Sequence, residues 1–181
     1  MQEENLTSRR WILLAVAVSL AASAPPARAV ERGSTAADFL LISGDARPVS
    51  LGGTFSALGR GDAGGIDYNV ALISGVDRRE ISLTRLQYFE GATGNHIAYI
   101  APGPAHGAWG FSINHFTPGS FERTNEIGVF TGERLTAFDV AFLAAYSRHL
   151  GQSLSYGVGG KIIHRDLAGI PASAGAVDLG L

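Results

Sequence analysis

The histidines are the residues of this chain best suited to chemistry, because an imidazole can bind a metal ion or move a proton near neutral pH. The chain has five histidines and no cysteine. No two of them form a His-x-x-x-His or His-Glu-x-x-His pair, the spacing that places two metal ligands on one helix face. The sequence therefore predicts no metal site, and the lack of cysteine excludes thiol catalysis and cysteine-bound metals. The histidines are His96, His106, His115, His149 and His164.

Motifs for nucleophilic catalysis or phosphate binding are also missing from the sequence. It has no Gly-x-Ser-x-Gly elbow of a serine hydrolase. The glycine-rich stretch at residues 59–65 lacks the Gly-Lys-Ser/Thr of a phosphate loop, and we interpret it as a solvated loop. We therefore expect a protein that is not an enzyme, has no catalytic residues and needs no cofactor.

Three charged residues are the best binding candidates: Asp139, Lys161 and Asp178. Each stands among small or polar residues that share one face of a predicted strand. Opposite charges on the same face of neighbouring strands can pair, and a buried charge without a partner is costly. We expect these residues to pair with one another for structural reasons, with contact to a substrate as the alternative.

The strands that carry these charges are predicted from a two-residue alternation in residues 137–181, where large apolar side chains alternate with small or polar ones. Successive residues of a strand point to opposite faces, so this period predicts a sheet with one apolar face. Phe138, Val140 and Phe142 share that face, and we expect Val140 near its middle. A break in the phase near Thr84 and Arg85 predicts a bulge. We predict strands at residues 79–89, 95–101, 108–116, 136–148, 153–166 and 172–181.

The connections between these strands differ in length. Residues 102–107 and 149–152 make short links at one end of the sheet, and residues 117–135 make a long polar link at the other. Short turns at one rim and long loops at the other are typical of outer-membrane barrels. Aromatic residues near the strand ends would then partly supply girdles at the two membrane interfaces, whereas in a sandwich the same residues would pack in the core. These are Tyr88, Tyr99, Trp109, Phe116, Tyr146 and Tyr156.

The N-terminus predicts export. Arg9 and Arg10 precede an apolar run at residues 11–22, and Ala27-Arg28-Ala29 has the small-x-small form of a signal-peptidase site. We predict a signal peptide at residues 1–29, with Sec and twin-arginine export both open. No later run of about 18 apolar residues predicts a membrane helix. The net charge of −2 offers no electrostatic basis for binding nucleic acid.

Several sequence blocks resemble the PorV/PorQ family of FadL-like outer-membrane proteins. The blocks are residues 39–40 (FL), 46–58 (ARPVSLGGTFSAL), 67–71 (DYNVA) and 177–181 (VDLGL), and the most specific part is residues 47–57. The resemblance implies a barrel of about fourteen antiparallel strands, within the size range of such barrels, with an N-terminal segment folded into the lumen. The family-motif residues on which it rests are Arg47, Gly52, Gly53 and Asn69.

The sequence thus predicts an all-β protein: the antiparallel meander of a transmembrane β-barrel. Residues 30–75 would form a lumenal, plug-like segment, and residues 76–181 would form the strands. Six strands are fewer than the roughly eight that a single-chain barrel needs, so we expect an incomplete barrel.

We expect this protein in the outer membrane, in contact with its lipid. Its role would be that of a channel, a transporter or a secretion accessory, and the family implies hydrophobic small molecules or secretion-system proteins as partners. The alternative is a soluble, secreted or periplasmic β-sandwich that binds a partner and hides the apolar face inside.

Overall fold

The computed structural model describes residues 37–56, 62–104, 107–125, 127–151 and 154–181. The predicted signal peptide lies outside these residues. Within them, short helical turns precede one antiparallel sheet of seven strands. The predicted all-β, antiparallel class is confirmed, and the described strands do not close into a barrel. The strands are β1 Glu80–Gln87, β2 Thr93–Pro102, β3 Gly107–Thr117, β4 Ser120–Thr124, β5 Phe130–Leu150, β6 Leu154–Leu167 and β7 Ile170–Gly180.

The sheet has the order β1-β2-β3-β5-β6-β7, and β4 pairs only with β5. The long polar loop predicted at residues 117–135 is therefore wrong in part. Ser120 pairs with Thr136 and Glu122 with Arg134, so the beginning of β5 and all of β4 form a hairpin beyond the sheet. Aromatic and β-branched residues on both arms favour this extended structure.

The bulge predicted in β1 is also wrong. The register of β1 and β2 runs without a break from Glu80 opposite Ile100 to Gln87 opposite Thr93. Leu86 instead lies half-buried on the face opposite to that of Leu83. That face takes large apolar residues there because other parts of the chain cover it, so no bulge is needed to bury Leu86.

The predicted difference between the two rims is found only at the hairpin, because the other connections at both rims are short. β2 is joined to β3, and β5 to β6, at one rim, which we call the short-turn rim. β1 also begins at this rim. At the opposite rim, the hairpin rim, β1 joins β2, β6 joins β7, and the β4–β5 hairpin projects.

Residues 37–56 and 62–76, which we call the N-terminal segment, form one short α-helix, α1 (Ala46–Ser50), and 3₁₀ turns at Asp38–Leu41, Ala63–Gly65 and Val70–Gly75. Asp45, Asp62 and Asn69 cap three of these elements by accepting a backbone N–H with their side-chain oxygen, as N-cap residues do. None of the described helices is long and apolar enough to span a membrane.

The N-terminal segment packs on one face of the sheet and forms the core there. Ile66, Val70 and Ile73 are buried against Ile100 of β2 and Leu143 of β5. A second, smaller cluster lies closer to the hairpin rim and joins Phe39 to Ala141 and Ile163. The buried core of the described residues is thus on a single side of the sheet.

Candidate functional site

The two faces of the sheet have opposite surroundings. The covered face, which contacts the N-terminal segment, carries mostly small or polar residues with a few large apolar ones. The other, which we call the apolar face, carries large side chains that remain exposed. Neighbours in β5 show the contrast: Leu143 is 1% exposed and Phe142 is 41% exposed.

Strand register aligns the apolar face into three rows that cross the sheet. All residues of these rows are uncharged, and Tyr and Trp supply their only polar groups. The row closest to the hairpin rim is Leu83, Ile97, Ile113, Phe142, Ile162 and Gly175. The middle row is Ile81, Tyr99, Phe111, Ala144, Gly160 and Val177. The row closest to the short-turn rim is Ala101, Trp109, Tyr146, Val158 and Leu179.

Tyr and Trp gather toward the short-turn rim of the apolar face. Tyr99 and Trp109 meet edge to face with ring centroids 5.5 Å apart. Tyr146 lies opposite Trp109 in the register, and Tyr156 follows one level closer to the rim. The girdle prediction is wrong for Phe116, which packs beside the buried Phe39 cluster. The centroid of its ring lies 6.2 Å from that of the Tyr88 ring.

On the side of the apolar face toward the hairpin rim, the next row of paired residues is polar, and we call it the polar row. Val140 is its one apolar residue, although we expected Val140 near the middle of the face. The Asn95 amide is 3.3 Å from Nδ1 of His115, and Nδ1 of His164 is 2.9 Å from Oγ of Ser173. The row consists of Arg85, Asn95, His115, Val140, His164 and Ser173.

The three charged candidates are all paired on the covered face. Asp139 accepts two hydrogen bonds from Arg165, at 2.5 and 3.0 Å. Lys161 Nζ lies 2.9 Å from a carboxylate oxygen of Asp178, and a polar cleft of about 250 Å³ opens beside this pair. Sequence analysis did not identify Arg165, although it stands directly opposite Asp139 in the register. Only the register could have revealed that partner.

A buried polar network joins the N-terminal segment to β2 and β3. The Asp67 carboxylate is 2.8 Å from Nε2 of His96 and accepts a 2.8 Å hydrogen bond from Ser112. Burial acts to raise the pKa of Asp67, but hydrogen bonds from His96, Ser112 and Asn114 and the attraction of His96 hold it below its ordinary value. Sequence analysis missed this network because its members are far apart in the chain.

The family-motif residues shape the N-terminal segment. Arg47 forms an ion pair with Asp62, and its guanidinium carbon lies 5.3 Å from the centre of the Phe55 ring. Gly52 and Gly53 have φ angles of +66° and +78°, a conformation that glycine adopts without strain. Both glycines lie in the turn that follows α1.

Asn69 connects three parts of the chain through one side chain. Its Oδ1 accepts from the N–H of Ala71, and its Nδ2 donates to the carbonyls of Ser56 and Leu181 at 2.9 and 3.0 Å. Glycines of β6 and β7 make room for this turn. A Cβ on Gly157 would stand 2.6 Å from a backbone carbon of Val70.

The histidines do not form a common site. His96 is buried beside Asp67, and His115 and His164 lie in the polar row. Nδ1 of His149 is within hydrogen-bond distance of Oγ of Ser155, at 2.8 Å. His106 lies outside the described residues. Within the described part of the chain, no three His, Asp or Glu side chains converge as a metal site would require.

Comparisons with protein-family models, curated proteins and solved structures find no match to this chain. The resemblance of residues 46–58 to the PorV/PorQ family therefore stays a prediction.

Proposed function

We propose that this chain belongs to an outer-membrane β-barrel protein, with the apolar face toward lipid and the covered face toward the lumen. The observation that carries the proposal is that most large apolar residues of the sheet are exposed on the apolar face, while the covered face buries mainly small and polar residues. Along β6, Tyr156 and His164 bound this apolar surface about 26 Å apart, or ~20 Å across a bilayer at a strand tilt of about 40°. This is close to the roughly 25 Å band of known barrels.

In this proposal the N-terminal segment is a lumenal plug. It contacts the sheet through the Asp67 network and through the glycines beneath Asn69, and the ion pairs of Asp139 and Lys161 lie on the same side. Barrel lumens are polar, whereas lipid-facing charges are costly. The predicted signal peptide and the family resemblance support export to the outer membrane and a role as a channel, a transporter or a secretion accessory.

The alternative of a soluble β-sandwich requires a second layer over the apolar face. Sandwiches pack two sheets through their apolar faces. In the described residues the core lies on the opposite side, beneath the N-terminal segment, and large side chains such as Ile162 remain 66% exposed. The location of the core therefore favours the membrane proposal.

The proposal also requires closure of the sheet. β1 and β7 each have one edge without a partner strand in the described residues. Each unsatisfied backbone group in lipid costs several kcal/mol, so only closed sheets span membranes. Both edges must therefore pair with further strands, which either the same polypeptide or other copies of it would supply.

An arginine scan of exposed aromatic residues tests this function. We expect Phe142→Arg to weaken folding into vesicles by about 2–4 kcal/mol, because the residue would lie within the lipid. Phe121→Arg is the matched control, since Phe121 is similarly exposed but lies in the hairpin beyond the sheet. The measurement is the urea dependence of folding in the presence of vesicles.

The opposite result would identify a soluble protein. If both arginine variants folded as well as the wild type, and the chain were a cooperative monomer without detergent, the membrane proposal would be wrong.

A further inference from the structure

One nitrogen of the His96 ring is not used by the Asp67 network. Nε2 lies 2.8 Å from the Asp67 carboxylate, whereas Nδ1 is buried and has no hydrogen-bond partner within the part of the chain that the structure describes. The side chain as a whole is only 3% exposed. An unpaired buried polar atom costs its full desolvation penalty, and native proteins contain few such atoms. His96 Nδ1 therefore marks a place where a further group binds.

The contact with Asp67 decides what kind of group Nδ1 can bind. The pKa of Asp67 lies below its ordinary value, so at neutral pH its carboxylate is ionised and only accepts hydrogen bonds. Nε2 of His96 must then carry the imidazole proton, and Nδ1 of the neutral ring has a lone pair. The partner of Nδ1 is therefore a hydrogen-bond donor or a metal ion.

A small cavity adjoins His96 between the N-terminal segment and the strands β1 to β3. It has a volume of about 20 Å³. A water molecule needs about 10–15 Å³, so the cavity holds one water molecule and no larger donor. Phe39 of the N-terminal segment and Leu86 and Phe116 of the sheet supply apolar walls. His96 itself lies on β2, which has a partner strand on each side.

Asn114 supplies a second polar group to this cavity. It stands opposite His96 in the register of β2 and β3 and also lines the cavity. Its amide donates a hydrogen bond to Asp67, which leaves the amide oxygen as an acceptor. A water molecule has two protons to donate, and buried waters make two to four hydrogen bonds to polar groups. His96 Nδ1 and the Asn114 oxygen are two acceptors that suit one water.

A metal ion fits this place less well. A histidine that binds a metal commonly donates its other ring N–H to a carboxylate, as His96 does to Asp67. The remaining ligands are missing, because no three His, Asp or Glu side chains converge in the described part of the chain. A single donor molecule therefore accounts for Nδ1 better than a metal ion does.

We propose that His96 Nδ1 and the Asn114 amide oxygen bind one buried water molecule between the N-terminal segment and the sheet. The water donates one hydrogen bond to each acceptor. It thereby keeps the imidazole in the form that donates from Nε2 to Asp67, the contact that joins the N-terminal segment to β2. The inference concerns the interior of the covered face and does not depend on the proposed membrane function.

Two variants of His96 separate the roles of its two nitrogen atoms. A Gln amide reaches about as far as Nε2, and an Asn amide only about as far as Nδ1. We expect His96→Gln to keep the contact with Asp67 and lose the water, and His96→Asn to keep the water and lose the contact. The measurement is the structure of the full chain and of both variants at a resolution that shows ordered waters.

Nitrogen NMR of the imidazole provides a second readout. We expect a wild-type Nδ1 signal typical of an unprotonated nitrogen that accepts a hydrogen bond, and a protonated Nε2. The proposal would be overturned if other buried waters were visible but none lay within hydrogen-bond distance of Nδ1. A proton or a metal ion on Nδ1 would also overturn it.

Amide hydrogen exchange tests whether the water positions the N-terminal segment. We expect His96→Gln to speed exchange several-fold in residues 39–45, which pack beside the cavity, and to leave β5 unchanged. His164→Gln is the matched control, because His164 lies in the polar row on the other face and should not alter exchange in residues 39–45. Wild-type exchange in His96→Gln would refute the positioning role. The Phe142→Arg experiment tests the membrane function separately, so either proposal can fail alone.

Discussion

The covered and apolar faces of this sheet are made by alternate residues of the same strands, yet they follow opposite packing rules. On the covered face, glycines and short side chains allow the backbone of the N-terminal segment to approach closely, as at Gly157. On the apolar face, the largest side chains of the sheet stand in rows and contact mainly one another, as Phe111 and Phe142 do at 6.1 Å.

The difference shows that the apolar alternation alone does not locate the core. In a soluble protein the larger apolar residues would be buried, because burial of apolar area drives folding. In this sheet the N-terminal segment packs on the face whose small side chains leave space for its backbone. The stability of the described fold in detergent should therefore depend on the covered face, and its affinity for lipid on the apolar face.

The largest expected difference is between two adjacent residues of β5. Leu143→Ala should lower the free energy of unfolding in detergent by about 3–4 kcal/mol, because it opens a cavity under the N-terminal segment. Phe142→Ala should change it by less than about 1 kcal/mol, since this side chain is already exposed. Chemical denaturation of both variants measures the difference. Equal losses would mean that the two faces do not divide these roles.

Two glycines of β6 sharpen the same comparison. Gly157→Val should destabilise by about 2–3 kcal/mol, because its side chain would collide with the backbone at Val70 and Ala71. Gly160→Val should be neutral or slightly stabilising, because the space around it is open and valine favours strands. Thermal unfolding of the two variants provides the test, and a more stable Gly157→Val protein would contradict the close approach.

Acid should release the contact between the N-terminal segment and the sheet at Asp67. Its pKa in the folded protein lies below the ordinary 3.8, so the carboxylate's contribution to stability is complete above about pH 4 and is lost as the pH falls through the folded value. Asp67→Asn should cost about 1–2 kcal/mol at neutral pH through weaker hydrogen bonds. The stability of this variant should fall less steeply below pH 4.

The measurement is unfolding at a series of pH values for wild type and Asp67→Asn. The difference between the two curves isolates Asp67 from the other carboxylates. If that difference did not change with pH, Asp67 would not be the titrating group.

The smallest effect is expected in the hairpin. Arg123 and Glu133 form a 3.0 Å ion pair with both side chains more than half exposed, and such surface pairs contribute little. Arg123→Ala should therefore change the unfolding free energy by at most about 0.5 kcal/mol. A larger loss in denaturant titrations would mean that the hairpin is part of the cooperative core.

Local pattern was sufficient to predict six of the seven described strands and the two faces of β5. The alternation of Phe138, Val140 and Phe142 placed these residues together on the exposed face, because side-chain direction depends only on the neighbouring backbone. The position of a residue between the two rims of the sheet could not be predicted in this way. Val140 lies in the polar row because His115 and His164 stand opposite it in the register, and register joins residues that are distant in sequence.

The same limit applies to the interior contacts. Asp67, His96 and Ser112 come together only when the N-terminal segment has packed on the sheet, and no local spacing indicates this contact. The β4–β5 hairpin was missed for another reason. Its arms are exposed on both faces, so they lack the contrast between faces that sequence analysis detects.

The Asn69 side chain has a consequence for the order of assembly. It bonds to the carbonyl of Leu181, 112 positions later in the chain. At a synthesis rate of about 5–20 residues per second, its partner is made roughly 5–20 s after Asn69 itself. During that interval the N-terminal segment lacks its contacts with β7. The N-terminal segment is therefore synthesised before the strands that it contacts, but the hydrogen bond of Asn69 to Leu181 can form only after β7 has been made.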